Sequence, residues 1–270
     1  SAVCAGSCGI AAIYEMRDNA KLAKFLSDVF DSLRCFLSGF PEDGTCLEGI
    51  GYWDYGFGYF SAFAETLFRR TEGKIDLFDD EKIHKIATFR QKCIFGHGLC
   101  LTFSDAGGGA RPSLSQLSFY VKKYPDIQKP SRAYISTHCE RHGCFRFALA
   151  LRDLTRTTDE VLPEEESAAE ATYLFPDAQW YISETKDETT FAAKAGNNGE
   201  PHNHNDVGSF ELFRRGTVLL HDLGSGEYNK DYFSSKRYEF FCCSSRGHSV
   251  PIVNGTYQAE GTEHAATDVI

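Results

Sequence analysis

The sequence has no surplus of basic residues: 28 Lys and Arg stand against 38 Asp and Glu, a formal net charge of −10. A nucleic-acid binder ordinarily shows the opposite balance, so that partner is disfavoured. An anionic substrate stays open, because local clusters set the potential inside a cleft. There is no run of ~18 or more apolar residues, so the sequence offers no candidate membrane-spanning helix. Low-complexity tracts are missing too, and 42% hydrophobic with 24% charged residues is an ordinary globular composition. No Walker string and no G-x-G-x-x-G occurs, which leaves nucleotide chemistry without support. The first residues, Ser1 to Ile13, lack the basic start of a secretory leader. Ser1 opens inside helical texture and Ile270 ends inside strand-rich texture, so a piece of a longer enzyme is expected.

Cysteine, by contrast, is plentiful, with ten in the chain. Cys4, Cys8, Cys93 and Cys100 lie in helical or apolar surroundings, where free thiols pack as small hydrophobes. Cys139 and Cys144 flank Glu140-Arg141-His142-Gly143, a spacing open to a small metal loop or a disulfide turn. Thiols that are mostly reduced favour the cytoplasm, with a periplasmic or secreted location left open by the missing start. The 22 Phe and 13 Tyr suit core packing first and a cleft floor for sugar rings second. Arg69-Arg70, Lys122-Lys123, Arg141-His142, Arg214-Arg215 and Lys236-Arg237 are short basic pairs, each either solvated surface or a contact for an anionic polymer.

Periodicity divides the chain. Leu22, Phe25, Leu26, Val29, Phe30 and Leu33 recur at the spacing of one buried helix face. Phe60, Phe63, Ala64, Leu67 and Phe68 make a second stripe. A third helix follows Asp79-Asp80, with Ile83, Ile86, Ala87 and Cys93. Residues 104–112 read as loop, and Ser113 to Tyr124 as a short helix stopped by Pro125. From about residue 168 the texture turns to strands at 171–175, 179–184, 190–195, 208–213 and 217–221. The polar stretch 156–170, with Glu164, Glu165 and Glu166 in a row, reads as a linker. Helices first and strands second imply an α+β multidomain chain with an all-α part and an antiparallel β part.

The densest chemical signal is Asn198-Gly199-Glu200-Pro201-His202-Asn203-His204-Asn205-Asp206. On a strand, His202, His204 and Asp206 share a face, and imidazole with carboxylate suits zinc or a similar divalent ion. A polar turn with incidental histidines is the competing reading. A metallo-β-lactamase-like hydrolase is disfavoured because Val207 stands where a further His is needed. A cupin-type barrel leaves the helical half unexplained. Downstream, an apolar strand ends at Asp222, and His248 precedes another apolar stretch, so His204, Asp222 and His248 could converge as a closed metal cluster that leaves His202 free. A separate concentration, Glu48-Gly49-Ile50-Gly51-Tyr52-Trp53-Asp54-Tyr55-Gly56, offers hydroxyl donors and a stacking surface, or a packed helix start.

Taken together, E-G-x-x-Y-W-x-Y-G at 48–56, N-G-E-P-H-N-H-N-D-V-G-S-F at 198–210, L-L-H-D-L-G at 219–224 and R-G-H-S-V-P-I-V-N-G at 246–255 resemble the heparinase II/III-like polysaccharide lyases. The resemblance implies an incomplete (α/α) toroid followed by an antiparallel β-sandwich, both truncated here. The toroid part would be 1–125, a connecting segment 126–170, and the start of the sandwich 171–270. It implies β-elimination in an acidic, uronate-containing polymer such as heparin, heparan sulfate or alginate. Tyr52 and His202 match the catalytic pair, and His204, Asp222 and His248 the ligands of a bracing divalent metal, for which the resemblance implies Zn2+. Glu48, Trp53, Tyr55, Asn198, Glu200 and Tyr228 are candidate substrate contacts, and Tyr228 or Tyr232 could add a second hydroxyl. Tyrosine with a reference pKa near ~10 is a poor base without a cationic or hydrogen-bonding neighbour, and His202 is a natural one. Which of the two abstracts the proton stays open at this level. The group that neutralises the substrate carboxylate is expected ahead of Ser1, which puts turnover by this stretch alone in question. Two other classes remain: a carbohydrate-binding homologue without turnover, and a metal-dependent hydrolase. An acidic polysaccharide is the expected partner, with an oligomer left open.

Overall fold

The structure is a computed structural model that describes residues 1–107, 113–129, 147–161, 170–267 and 269. The chain forms two compact units, one of Ser1–Gly44, Trp53–Thr88 and Arg111–Glu164, the other of Thr45–Tyr52, Phe89–Ala110 and Glu165–Ile270. In chain order an α-helical region is followed by an antiparallel β-sheet region. No helix among the described residues is long and apolar enough to cross a membrane.

The first unit is helical. Helices α1 (Ala2–Glu15) and α2 (Asn19–Leu37) precede a short α3 (Ile50–Tyr52), which belongs to the second unit, and then a π turn (Trp53–Phe57) and α4 (Gly58–Arg70). After α5 (Glu81–Lys92) come α6 (Leu114–Lys123) and α7 (Phe147–Arg156). The Asp18 carboxylate starts α2 by accepting from the Ala20 and Lys21 amides, satisfying donors that a helix start leaves open. Asp80 does the same for the Lys82 and Ile83 amides of α5. Leu22, Leu26, Val29 and Leu33 of α2 are buried as their spacing predicts, whereas Phe25 falls off that face and is exposed. Phe57, Phe60, Phe78, Phe119 and Tyr120 form an aromatic core, with Phe57 stacked on Phe60 at 5.3 Å. Glu65 sits buried inside α4 and is paired by Arg69, Arg152 and Arg156. That pairing accounts for Arg69 of the first basic pair.

In the second unit, strands β1 (Ala171–Phe175), β2 (Trp180–Glu184), β3 (Thr189–Lys194), β5 (Phe210–Arg214) and β6 (Thr217–Leu220) form one antiparallel sheet in that order. Strands β4 (Asn197–Asn198) and β7 (Gly261–Ala265) pair separately. Alternation sends Phe175, Trp180, Ile182, Ala192 and Phe213 to a buried face. Phe89 lies against Phe175 and Phe103 against Trp180 on that side. Register places Leu174, Tyr181, Phe191 and Leu220 on the opposite face, and all four are exposed. Lys194 and Glu211 alternate inward with the buried set, which carries two ionisable groups beneath the sheet.

The eight cysteines among the described residues are all unbridged. Cys93 and Cys100 are buried as small hydrophobes, while Cys4 and Cys8 are exposed, contrary to the packing expected of them. Cys139 and Cys144, the pair Arg141-His142, and Glu164 to Glu166 lie outside the described residues.

Candidate active site

The site is assembled in the second unit from four separate stretches. The segment 45–52 docks on 101–106: Ser104 Oγ donates to the Leu47 carbonyl at 2.7 Å. Gly49 has φ +95°, and a Cβ there would stand 2.7 Å from the Phe103 carbonyl oxygen, so only glycine allows this approach. The docking sets Asp105 among Glu48, Tyr52 and the histidines that follow.

Asp105 is the hub. Its Oδ2 accepts from His202 Nδ1 at 2.6 Å and from Arg237 Nη2 at 2.9 Å. Its Oδ1 accepts from His204 Nε2 at 3.1 Å and from the Tyr232 hydroxyl. Burial works against its charge, but the bonds from His202, His204 and Tyr232 and the Arg237 guanidinium outweigh burial and hold its carboxyl far below the usual range. Arg237 is tied down in turn, donating from Nε to the Asn203 carbonyl and from Nη2 to the His202 carbonyl. Neither Asp105 nor Arg237 stood out in the sequence. Asp105 lies in a stretch read as loop, and Arg237 was half of an unremarkable basic pair.

His202 takes φ +55° within a turn, so residues 201–209 are not the expected strand. The shared face predicted for His202, His204 and Asp206 is therefore lost. His202 and His204 reach different oxygens of Asp105, while Asp206 pairs with Lys194 at 3.0 Å. Burial disfavours the Lys194 charge, yet Asp206 and Glu200 more than offset it and raise its pKa. The His202 ring lies 4.1 Å from that of Tyr52, tilted by 36°, and its Nε2 is 3.5 Å from Glu48 Oε2. The Tyr52 hydroxyl meets that of Tyr228 at 3.1 Å. Burial pushes the Tyr52 phenol up; Tyr228 and Arg237 lower it, and Asp105 and Glu48 raise it. Burial also raises Glu48, against the lowering pull of His202.

His204, Asp222 and His248 converge, with one ligand atom of each inside a 4.8 Å group. His204 Nε2 faces an ionised Asp105, so its proton lies there, and Nδ1 is left buried with no hydrogen-bond partner. His248 Nε2 donates to the Cys242 carbonyl at 2.8 Å and its Nδ1 donates to Asp222 Oδ2 at 2.8 Å; burial works against the His248 charge, but the Asp222 carboxylate outweighs it and raises the pKa, and a divalent ion would displace that Nδ1 proton. The other Asp222 oxygen accepts from the Gly224 amide. Two imidazole lone pairs and a carboxylate oxygen, each oriented by an outer partner, are the donor set of a divalent site. The orphaned His204 Nδ1 is the atom such an ion would satisfy.

Gly224 fixes Asp222. It has φ +63°, and a Cβ would fall 2.0 Å from the Ala106 carbonyl oxygen. Gly208 has φ +83° but open space around it. Gly224→Ala is therefore expected to destabilise the fold by several kcal/mol, and Gly208→Ala by only about 1 kcal/mol. Urea denaturation of both variants checks this, and equal losses would refute it.

Three expected substrate contacts are held inside the fold instead. Trp53 is buried and donates its indole N–H to the Ile86 carbonyl, so its ring has no free face for a sugar. Asn198 is buried and bonds Gln258, Ala259 and the Asp206 amide. Glu200 is a half-buried residue whose side chain is enclosed beside Lys194 and accepts from the Asn197 amide. Tyr55 packs edge-on to Tyr59. Glu48 and Tyr228 do stand in the site, next to His202 and Tyr52 respectively.

Comparison with known proteins follows this geometry. No curated protein matches the chain in sequence. In fold it is similar to the crystal structure of heparinase III, with TM-score 0.67 and 15% identity over 95% of this chain and 39% of that one. It is similar also to heparan sulfate lyase HepC from Pedobacter heparinus, with TM-score 0.60 and 16% identity over 91% of this chain and 36% of that one. The chain thus spans less than two fifths of the length of either. Residues 168–268 match the family described as heparinase II/III-like, C-terminal. The family-level match thus rests on residues 168–268, and over the rest of the chain the likeness to these lyases is one of fold.

Proposed function

We propose that this chain carries the catalytic centre of a polysaccharide lyase acting on an acidic, uronate-containing polymer. The observation that carries the reading is the Tyr52–His202 pair with Asp105 behind it. In β-elimination a base removes the C5 proton, the C4–O bond breaks, the departing oxygen gains a proton, and a C4–C5 double bond remains. Asp105 accepts a hydrogen bond from the His202 Nδ1–H, which keeps the proton on Nδ1, so Nε2 keeps its lone pair and serves as the base. Tyr52, its pKa raised chiefly by burial, stays a neutral phenol and serves as the acid. Tyr228 orients that phenol through its own hydroxyl.

His204, Asp222 and His248 would hold a divalent ion, for which zinc suits the donors. Bound there, the ion supplies a fixed positive charge that braces His204, while the proton transfers belong to Tyr52 and His202. For the fold, we propose that 1–125 is toroid, 126–170 a connection and 171–270 the start of a sandwich. The exposed apolar face of Leu174, Tyr181, Phe191 and Leu220 supports the last of these, being the face a second sheet would cover.

The test is incubation with heparan sulfate, alginate and hyaluronan while following ultraviolet absorbance of the unsaturated product. At least one polymer should yield product, and Tyr52→Phe should reduce kcat about 10²- to 10³-fold with KM little changed. Silence on every uronate polymer would sink the reading. Release of saturated ends would favour a metal-dependent hydrolase, and binding without product, unchanged in Tyr52→Phe, a carbohydrate-binding homologue.

A further inference from the structure

Phe233 has no part in the acid–base pair or the metal cluster, yet it lies within the site. Its neighbour Tyr232 is fully buried, with its hydroxyl on Asp105 and its ring beneath the Arg237 guanidinium at 4.4 Å. The turn before it is built, since Asn229 Oδ1 accepts from the amides of Asp231 and Tyr232. That anchoring leaves Phe233 on the outside, 59% exposed, next to a 45% exposed Tyr228. The two rings meet edge to face at 4.9 Å, and Phe233 meets the His202 ring edge to face at 6.4 Å. His202 is therefore bracketed by Tyr52 on one side and by Phe233 on another.

A single exposed phenylalanine is common and explains itself. This one differs in being the apolar ring set beside a polar reactive centre on a turn whose partners fix it. An aromatic face accepts the C–H face of a pyranose, and orientation of a ring at that spot decides whether its C5 hydrogen meets His202 Nε2. We infer that Phe233, assisted by Tyr228, is the stacking platform that positions a pyranose ring against His202. It favours a ring that presents a face of axial hydrogens over one interrupted by axial hydroxyls. The inference rests on the reading of the site as a sugar-cleaving centre.

The experiment measures binding and turnover separately on the 270-residue chain. Size-fractionated oligosaccharides of heparan sulfate, alginate and hyaluronan are titrated into the Tyr52→Phe protein, alone and with Phe233→Ala, Phe233→Leu or Phe233→Trp. Kinetics of the same position-233 variants are taken with Tyr52 intact. Phe233→Ala and Phe233→Leu should raise Kd and KM about tenfold with kcat within about threefold, and Phe233→Trp should restore wild-type values. Thermal unfolding of each variant shows whether the fold is kept. If Leu binds as well as Phe, or kcat falls while KM and Kd stay unchanged, the platform is overturned. It is overturned equally if no oligosaccharide binds. Ring-dependent binding by a protein that turns over nothing would sink the lyase reading and leave the platform standing.

Discussion

Asp105→Asn is expected to reduce turnover of a uronate polymer about 10³-fold or more while leaving KM within a few fold. The reason is the proton on His202. A carboxylate only accepts, so it holds that proton on Nδ1 and keeps Nε2 free. An amide can turn its NH2 toward Nδ1, which moves the proton to Nε2 and occupies the base. A second effect concerns stability. Arg237 is largely buried, and its charge is matched by Asp105. With the carboxylate gone, an unmatched guanidinium stays inside the fold, a loss of about 3–5 kcal/mol. The variant should therefore melt well below the wild type and, at temperatures where it is still folded, lack activity. Steady-state kinetics and calorimetry check the two parts, and a kcat within tenfold of wild type would refute the role given to Asp105.

Chelation and His248→Ala should act on the same quantity. The purified chain is expected to hold about one divalent ion, measured by elemental analysis. Dialysis against a strong chelator should lower Tm by several degrees, because a ligand present at 10³ times its Kd stabilises by about 4 kcal/mol. His248→Ala should lower Tm similarly and abolish the further response to chelator, since Asp222 and His204 alone make a poor site. A wild type reconstituted with zinc that retains none, or a chelator effect that persists in His248→Ala, would overturn the ligand assignment.

Much of this was legible in the sequence because it depends on short-range rules. The stripe of α2, the helix start at Asp79-Asp80 and the five strands follow from spacing and from residues that satisfy open amides. The convergence of His204, Asp222 and His248 was also readable, from carboxylate and imidazole placed at the ends of apolar runs. What spacing could not carry was backbone conformation and long-range partnership. The left-handed turn at His202 broke the alternation from which a common face with Asp206 was read. Trp53 looked available for stacking beside Tyr52, but consecutive side chains around a helical turn point to different sides, and Trp53 took the inner one. Asp105 has its partners 97 to 132 residues away in the chain, and no local pattern announces such a hub.

That hub joins two histidines through one carboxylate. His204 keeps its proton on Nε2 because the Asp105 carboxylate accepts it, and this leaves the Nδ1 lone pair buried and unpaired unless something else takes it. Remove an ion held there, and an uncompensated lone pair is left inside the fold, so His204 shifts to relieve it and disturbs the Asp105 oxygen next to the one that aims His202. An ion that never touches the sugar would then behave in an assay like a catalytic one. Loss of activity on chelation is thus the signature of a wire through Asp105 as much as of a Lewis acid.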